Sequence, residues 1–160
     1  MTNTNDKNNA AKNPLSGLVL FCAIAIAAMS LFYMTRLYAY YDYLSQIGGF
    51  SLALSAGAST AQVYISAYLL IYSVIACVYA LASILILMER RVCVRYINIT
   101  FPICILLVLL NCYIAIKVVG ATIPSLLLSA GTGILFPIVI MLYINLSKRI
   151  KQIFGRQSTQ

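Results

Sequence analysis

Tyr64, Tyr68, Tyr72 and Tyr79, together with Ser83, are the residues of this chain whose spacing most invites chemistry. At 100° per residue they fall within about one third of a helix's circumference, so a helix carrying them presents a stripe of hydroxyls. In an apolar setting such a stripe faces protein rather than lipid. It has two uses: a polar path or groove for a small solute, or hydrogen bonding between helices. Asn111 is the other strongly polar side chain within an apolar run, and it requires a partner, with those tyrosines as candidates.

The residue types that are missing narrow the chemistry further. Histidine is absent, which removes the commonest general base and the commonest metal ligand. The three acidic residues, Asp6, Asp42 and Glu89, are far apart and none lies mid-run, so neither a carboxylate pair nor a proton-coupling carboxylate is on offer. The five cysteines, Cys22, Cys77, Cys93, Cys104 and Cys112, form no C-x-x-C pair, and four of them sit inside apolar segments as small hydrophobes. No catalytic residue, cofactor or metal ligand is predicted, and the chain does not read as an enzyme.

The elements that must position the tyrosines follow from composition. Of 160 residues, 62% are hydrophobic and 9% charged, against about half and a quarter in soluble domains. A soluble fold of this size has no interior large enough for so much apolar surface, whereas lipid makes hiding it unnecessary. Runs long enough to cross about 30 Å of hydrocarbon are 15–34, 63–88, 99–116 and 125–146. The expected fold is therefore an all-α integral membrane protein: four transmembrane helices in an up-down antiparallel bundle spanning 14–147, flanked by a disordered polar tail (1–13) and a basic tail (148–160). The first run is longer than the apolar core of a secretory signal, although cleavage there is the alternative reading.

Lys and Arg distribution sets the orientation. Lys7, Lys12, Arg90, Arg91, Arg95, Lys148, Arg149, Lys151 and Arg156 fall on one side, and only Arg36 and Lys117 on the other. That bias places both termini in the cytoplasm. The net charge of +8 punctuates apolar runs instead of forming a stripe on a soluble domain, so no nucleic-acid partner is expected. Arg90, Arg91, Arg95, Lys148, Arg149 and Lys151 are read as topology anchors and contacts for anionic headgroups. In the final segment Leu146, Ile150, Ile153 and Phe154 recur at helical spacing. Such a segment either lies along the membrane surface or remains a solvated basic tail.

The connection 35–62 is the long one. Its Tyr38, Tyr40, Tyr41 and Tyr43 suit an aromatic belt at the headgroup level, or a docking surface with Arg36 and Asp42 as its charges. In the last run Pro137 crowds the carbonyl of Gly133 and predicts a kink, while Ser129, Gly131 and Gly133 permit close approach of a neighbour. The kink serves either as a gating hinge or as static packing.

The stretches "LSGLVLF" from Leu15 and "FPIVIMLYINLSKRIKQIF" from Phe136 resemble a family of small bacterial four-helix inner-membrane proteins carrying a domain of unknown function. That family tends to open its first helix with a Gly-Gly-Trp-Leu-like string and to end in a Ser-Lys-Arg-Val-Lys-x-x-Phe-like string. Here Ser147, Lys148, Arg149, Lys151 and Phe154 match the second; Ser16 replaces a glycine of the first, and no tryptophan is present. The resemblance implies a bacterial inner membrane location and four helices, and supplies no activity. The expected function is that of a non-enzymatic accessory, assembly or interaction component, with the anionic bilayer and other membrane subunits as partners. The alternative is a small-solute transporter or channel subunit using the tyrosine stripe.

Overall fold

The computed structural model describes residues 17–49, 57–88, 92–147 and 150, and among them every long element is a helix. The first helix, α1, runs Gly17–Gln46. Gly48 and Gly49, at φ 111° and 71°, follow its end in the left-handed region that glycine tolerates best. The second helix, α2, runs Thr60–Leu87 and opens on a capping box. The Ser59 hydroxyl accepts from the Gln62 amide N–H at 3.2 Å, and Gln62 Oε1 accepts from the Ser59 N–H at 2.8 Å. Helix α3 runs Val92–Ile114 and continues as a single π-helical turn through Ala115–Val119. Gly120, at φ 69°, closes that turn, and the N–H groups of Gly120 and Ala121 both return to the Ala115 carbonyl. The last helix, α4, runs Ile123–Leu146. Its Pro124 falls in the first turn, where no backbone N–H is required.

The helices are longer than the apolar runs. The polar, tyrosine-rich segment after Met34 continues α1 by three further turns, because Leu44 finds a buried seat against Ile65 and Leu69 of α2. Packing rather than hydropathy decides that boundary. Helix α2 starts at Thr60 instead of residue 63, and α3 reaches back to Val92, so Arg95 is an exposed residue on its first turn rather than part of a loop. The connection between α1 and α2 shrinks accordingly. The expected polar tail 1–13, the middle of that connection, Arg90, Arg91, Ser129, Lys148, Arg149, Lys151 and the rest of the basic tail lie outside the described residues or side chains.

Paired contacts fix the direction of each helix. Ser30 of α1 meets Ala76 of α2 and Ala23 meets Ser83, so α1 and α2 are antiparallel. Helices α2 and α3 are likewise antiparallel, since Tyr96 meets Val78 near one end and Asn111 meets Tyr64 near the other. Helices α3 and α4 repeat the arrangement through Asn98 with Asn145 and Val108 with Gly133. A shared interior results, filled by Val19, Ile26, Ile75, Tyr79, Ile97, Phe101 and Val108, each nearly inaccessible.

Three helical stretches, Val19–Gln46, Thr60–Leu87 and Val92–Val119, are long and apolar enough to cross a membrane. Each turns large apolar side chains outward, among them Phe21, Leu31, Leu70, Val74, Leu106 and Leu110. A surface of that kind is costly in water and at no disadvantage in hydrocarbon.

A tyrosine column as the candidate functional site

The tyrosines of α2 share one face of their helix and do not stand alone. Tyr68 and Tyr72 pack ring to ring at 4.3 Å, one turn apart. Tyr64 joins at 6.3 Å from Tyr68. Helix α1 contributes two more rings: Tyr40 lies 4.3 Å from Tyr68, and Tyr33 bridges Tyr72 at 5.3 Å to Tyr79 at 5.8 Å. Tyr79 then meets Phe101 of α3 at 5.1 Å and Phe136 of α4 at 5.9 Å, both edge to face. From Tyr64 to Tyr79 this column rises about 22 Å at 1.5 Å per residue, most of a bilayer's apolar thickness. Tilted and edge-on rings at these separations attract beyond their buried area.

Burial is graded along the column. Tyr40 and Tyr64 are half-buried, whereas Tyr33, Tyr68, Tyr72 and Tyr79 are buried, Tyr79 at 0% exposure. The hydroxyls follow the same gradient. Asn111 lies beside the Tyr64 hydroxyl at the shallow end, and Arg36 beside that of Tyr68. At the deep end the Tyr79 hydroxyl is buried without a hydrogen-bond partner, as are the Asn111 carbonyl oxygen, the Ser66 hydroxyl and that of Tyr143.

Serines and asparagines supply most of the hydrogen bonds described between helices, beside that from the Tyr96 hydroxyl to the Val78 carbonyl. The Ser30 hydroxyl donates to the Ala76 carbonyl at 2.9 Å, and that of Ser83 to the Ala23 carbonyl at 3.0 Å. Both are buried and both link α1 to α2. Asn98 and Asn145 exchange two amide hydrogen bonds, at 3.0 and 2.8 Å, between α3 and α4. The column itself contributes ring surface more than hydrogen bonds.

Gly133 and Pro137 lie inside α4 and both are buried. A Cβ added at Gly133 would stand 3.1 and 3.3 Å from the two Val108 methyls and 3.4 Å from the Tyr33 hydroxyl. The glycine is thus where three helices meet at closest approach.

Several participants carry no mark in the apolar runs. Tyr33 and Tyr40 belong to the column, although Tyr40 reads in sequence as part of an interfacial belt; its neighbours Tyr38, Tyr41 and Tyr43 are exposed. Their signal is the spacing Tyr33, Leu37, Tyr40, Leu44, one helical face once α1 is allowed to continue. Arg36 completes the shallow end. At the opposite end Ile150, just beyond α4, is buried with Val19, Cys22, Ile86, Cys93 and Ile144, its N–H 3.4 Å from the Ser147 hydroxyl. Ile150 is therefore held against the helices.

A tyrosine column with one guanidinium and one carboxamide offers ring faces, hydroxyl donors and a permanent positive charge. All five cysteines are free thiols, and among the described residues no three His, Cys, Asp or Glu side chains converge as a metal site would require. Comparison with protein-family models, with curated proteins and with solved structures finds no match to this chain.

Proposed function

We propose that the chain is a four-span protein of the bacterial inner membrane with both termini in the cytoplasm, acting without catalysis as an accessory or assembly component of a membrane complex. Helix α4 is the fourth span; at 24 residues it is about 36 Å long, enough for the hydrocarbon core. The Lys and Arg bias of the sequence supports the orientation, and the C-terminal string from Phe136 supports the location. The observation that carries the functional reading is how the interior polar groups are used. Ser30 and Ser83 are bonded to backbone carbonyls of a neighbouring helix, and the rings of the column fill the space between helices, as expected of a scaffold.

Crosslinking in membranes followed by purification in mild detergent tests this: a stoichiometric partner is expected, and a chain recovered alone counts against the reading. Reporters fused after Arg156 and inserted near Gly57 should lie on opposite sides of the membrane, the first cytoplasmic. A transporter or channel subunit is the second reading. The observation favouring it is the unpartnered Tyr79 hydroxyl and Asn111 oxygen in the interior, groups that a passing polar solute would satisfy. Solute flux through the reconstituted chain alone, lost in Tyr68→Phe or Tyr72→Phe, would establish that alternative.

A further inference from the structure

Arg36 is the described charge for which neither the packing nor the orientation gives a sufficient role. It lies two residues beyond the 15–34 run and, by the pairing of Ser30 with Ala76 and Ala23 with Ser83, level with Leu70 in the outer third of α2, from which a long side chain extends to the headgroup level opposite the basic termini. The exposed Tyr38, Tyr41 and Tyr43 on the following turns suit the same level.

An arginine at that depth ordinarily samples many rotamers, but this one stacks on a ring and lies beside a hydroxyl. Its Cζ sits 4.8 Å from the centroid of the Phe32 ring one turn back, and the guanidinium lies near enough to the Tyr68 hydroxyl across the helix interface to act on it electrostatically. Tyr68 is in turn fixed between Tyr40 and Tyr72, each 4.3 Å away. No described carboxylate neutralises the charge: Asp42 lies about 120° away from Arg36 around α1 and accepts a hydrogen bond from Gln46. An oriented planar fork with free donors, tyrosine hydroxyls beside it and no counter-ion has the chemistry of phosphate recognition.

We propose that Arg36, supported by the Tyr68 hydroxyl and flanked by the half-buried Tyr40 and Tyr64, forms a binding site for the phosphate of a lipid headgroup in the leaflet opposite the basic termini. A soluble phosphate ester shares that chemistry, and the bilayer favours the lipid by holding its phosphate at this depth. The site rests on α1 spanning the membrane and not on which compartment Arg36 faces.

Native mass spectrometry of the full chain in mild detergent, titrated with phosphatidylglycerol, reads the site directly. Wild type should retain one lipid more than Arg36→Gln at equal lipid concentration, and the affinity for that lipid should fall about tenfold, as expected for losing a charge-assisted contact. Lipids held by the basic termini should remain in both proteins. Arg36→Lys keeps the charge without the fork and should fall between the two; Tyr68→Phe keeps the ring stack and should weaken retention. Equal retention by wild type, Arg36→Gln and Tyr68→Phe would overturn the proposal. If Arg36→Gln does not insert, Tyr68→Phe decides alone, and unchanged retention in it overturns the site. Adding glycerol 3-phosphate identifies the source: displacement of the lipid at equimolar ester assigns the site to a soluble phosphate and overturns the lipid assignment, whereas persistence of the lipid supports it. A chain that fails to float with membranes refutes the bilayer reading instead, so the two failures are distinct.

Discussion

The two ends of the interior are built from different chemistry. Towards the basic termini the helices close on Val19, Cys22, Ile86, Cys93, Ile144 and Ile150, aliphatic and sulfur side chains with no polar demand. Towards the other side the same four-helix arrangement encloses Tyr40, Tyr64, Tyr68 and Asn111, with Arg36 at the rim. Polar groups are few in the first half: Asn98 and Asn145 satisfy each other, and the Tyr143 hydroxyl is buried without a hydrogen-bond partner. The second contains groups that need partners, and some of them, such as the Asn111 carbonyl oxygen, have none within the described chain. The tyrosine end therefore carries more of the unfilled bonding capacity, through Ser66 and Asn111, together with the guanidinium of Arg36, which is why a binding site is sought there.

Substitutions along the axis test that contrast, and the largest effect is expected where the two ends join. Tyr79→Ala removes the ring that touches Tyr33, Phe101 and Phe136 and should cost about 3–5 kcal/mol, read as loss of resistance to denaturant in detergent. Tyr79→Phe, which deletes only an unpartnered hydroxyl, should be neutral or stabilising, within about 1 kcal/mol. A Phe variant as unstable as the Ala variant would show that the hydroxyl matters and the ring account is wrong. Gly133→Leu comes next: it must displace Val108 and Tyr33 and should cost about 1–3 kcal/mol by thermal unfolding, with Gly133→Ala milder. Smaller again is Ile150→Val, about 0.5–1.5 kcal/mol, if that end is held by packing alone; no change would mean that Ile150 is not seated there. The smallest effect should come from Ser83→Ala, about 0.6 kcal/mol, typical of one hydrogen bond between membrane helices. A loss several times larger would shift the main stabilising role from rings to serines.

Much of the architecture is legible in the chain because hydropathy reports lipid contact directly. The four helices and the shared face of Tyr64, Tyr68, Tyr72 and Tyr79 follow from run length and helical period. Boundaries are less legible, since the end of a helix that packs on a neighbour need not be marked by a continuous apolar run: Thr35 to Gln46 continues α1 through contacts of Tyr40 and Leu44 with α2, information that resides in the partner helix. The Ser59-x-x-Gln62 capping box is a local signal that run length passes over, and it marks the start of α2 three residues before the apolar run. The π-helical turn after Ile114 has no comparable marker. Of the candidate site, the ring types were visible, but the joining of Tyr33 and Tyr40 to them, and of Arg36 to Tyr68, depends on the azimuth at which α1 and α2 meet.

Gln62 does more than begin a helix, because its side-chain amide also donates to the Ile47 carbonyl at 2.6 Å, clasping both ends of the segment that joins α1 to α2. That clasp, with the two serine bonds further along, makes the covalent link between 50 and 57 redundant for holding the hairpin together. A site-specific protease cut engineered there should yield two fragments that co-migrate through a detergent column as one particle, and a gene split at the same point should still give an assembled protein when both halves are expressed.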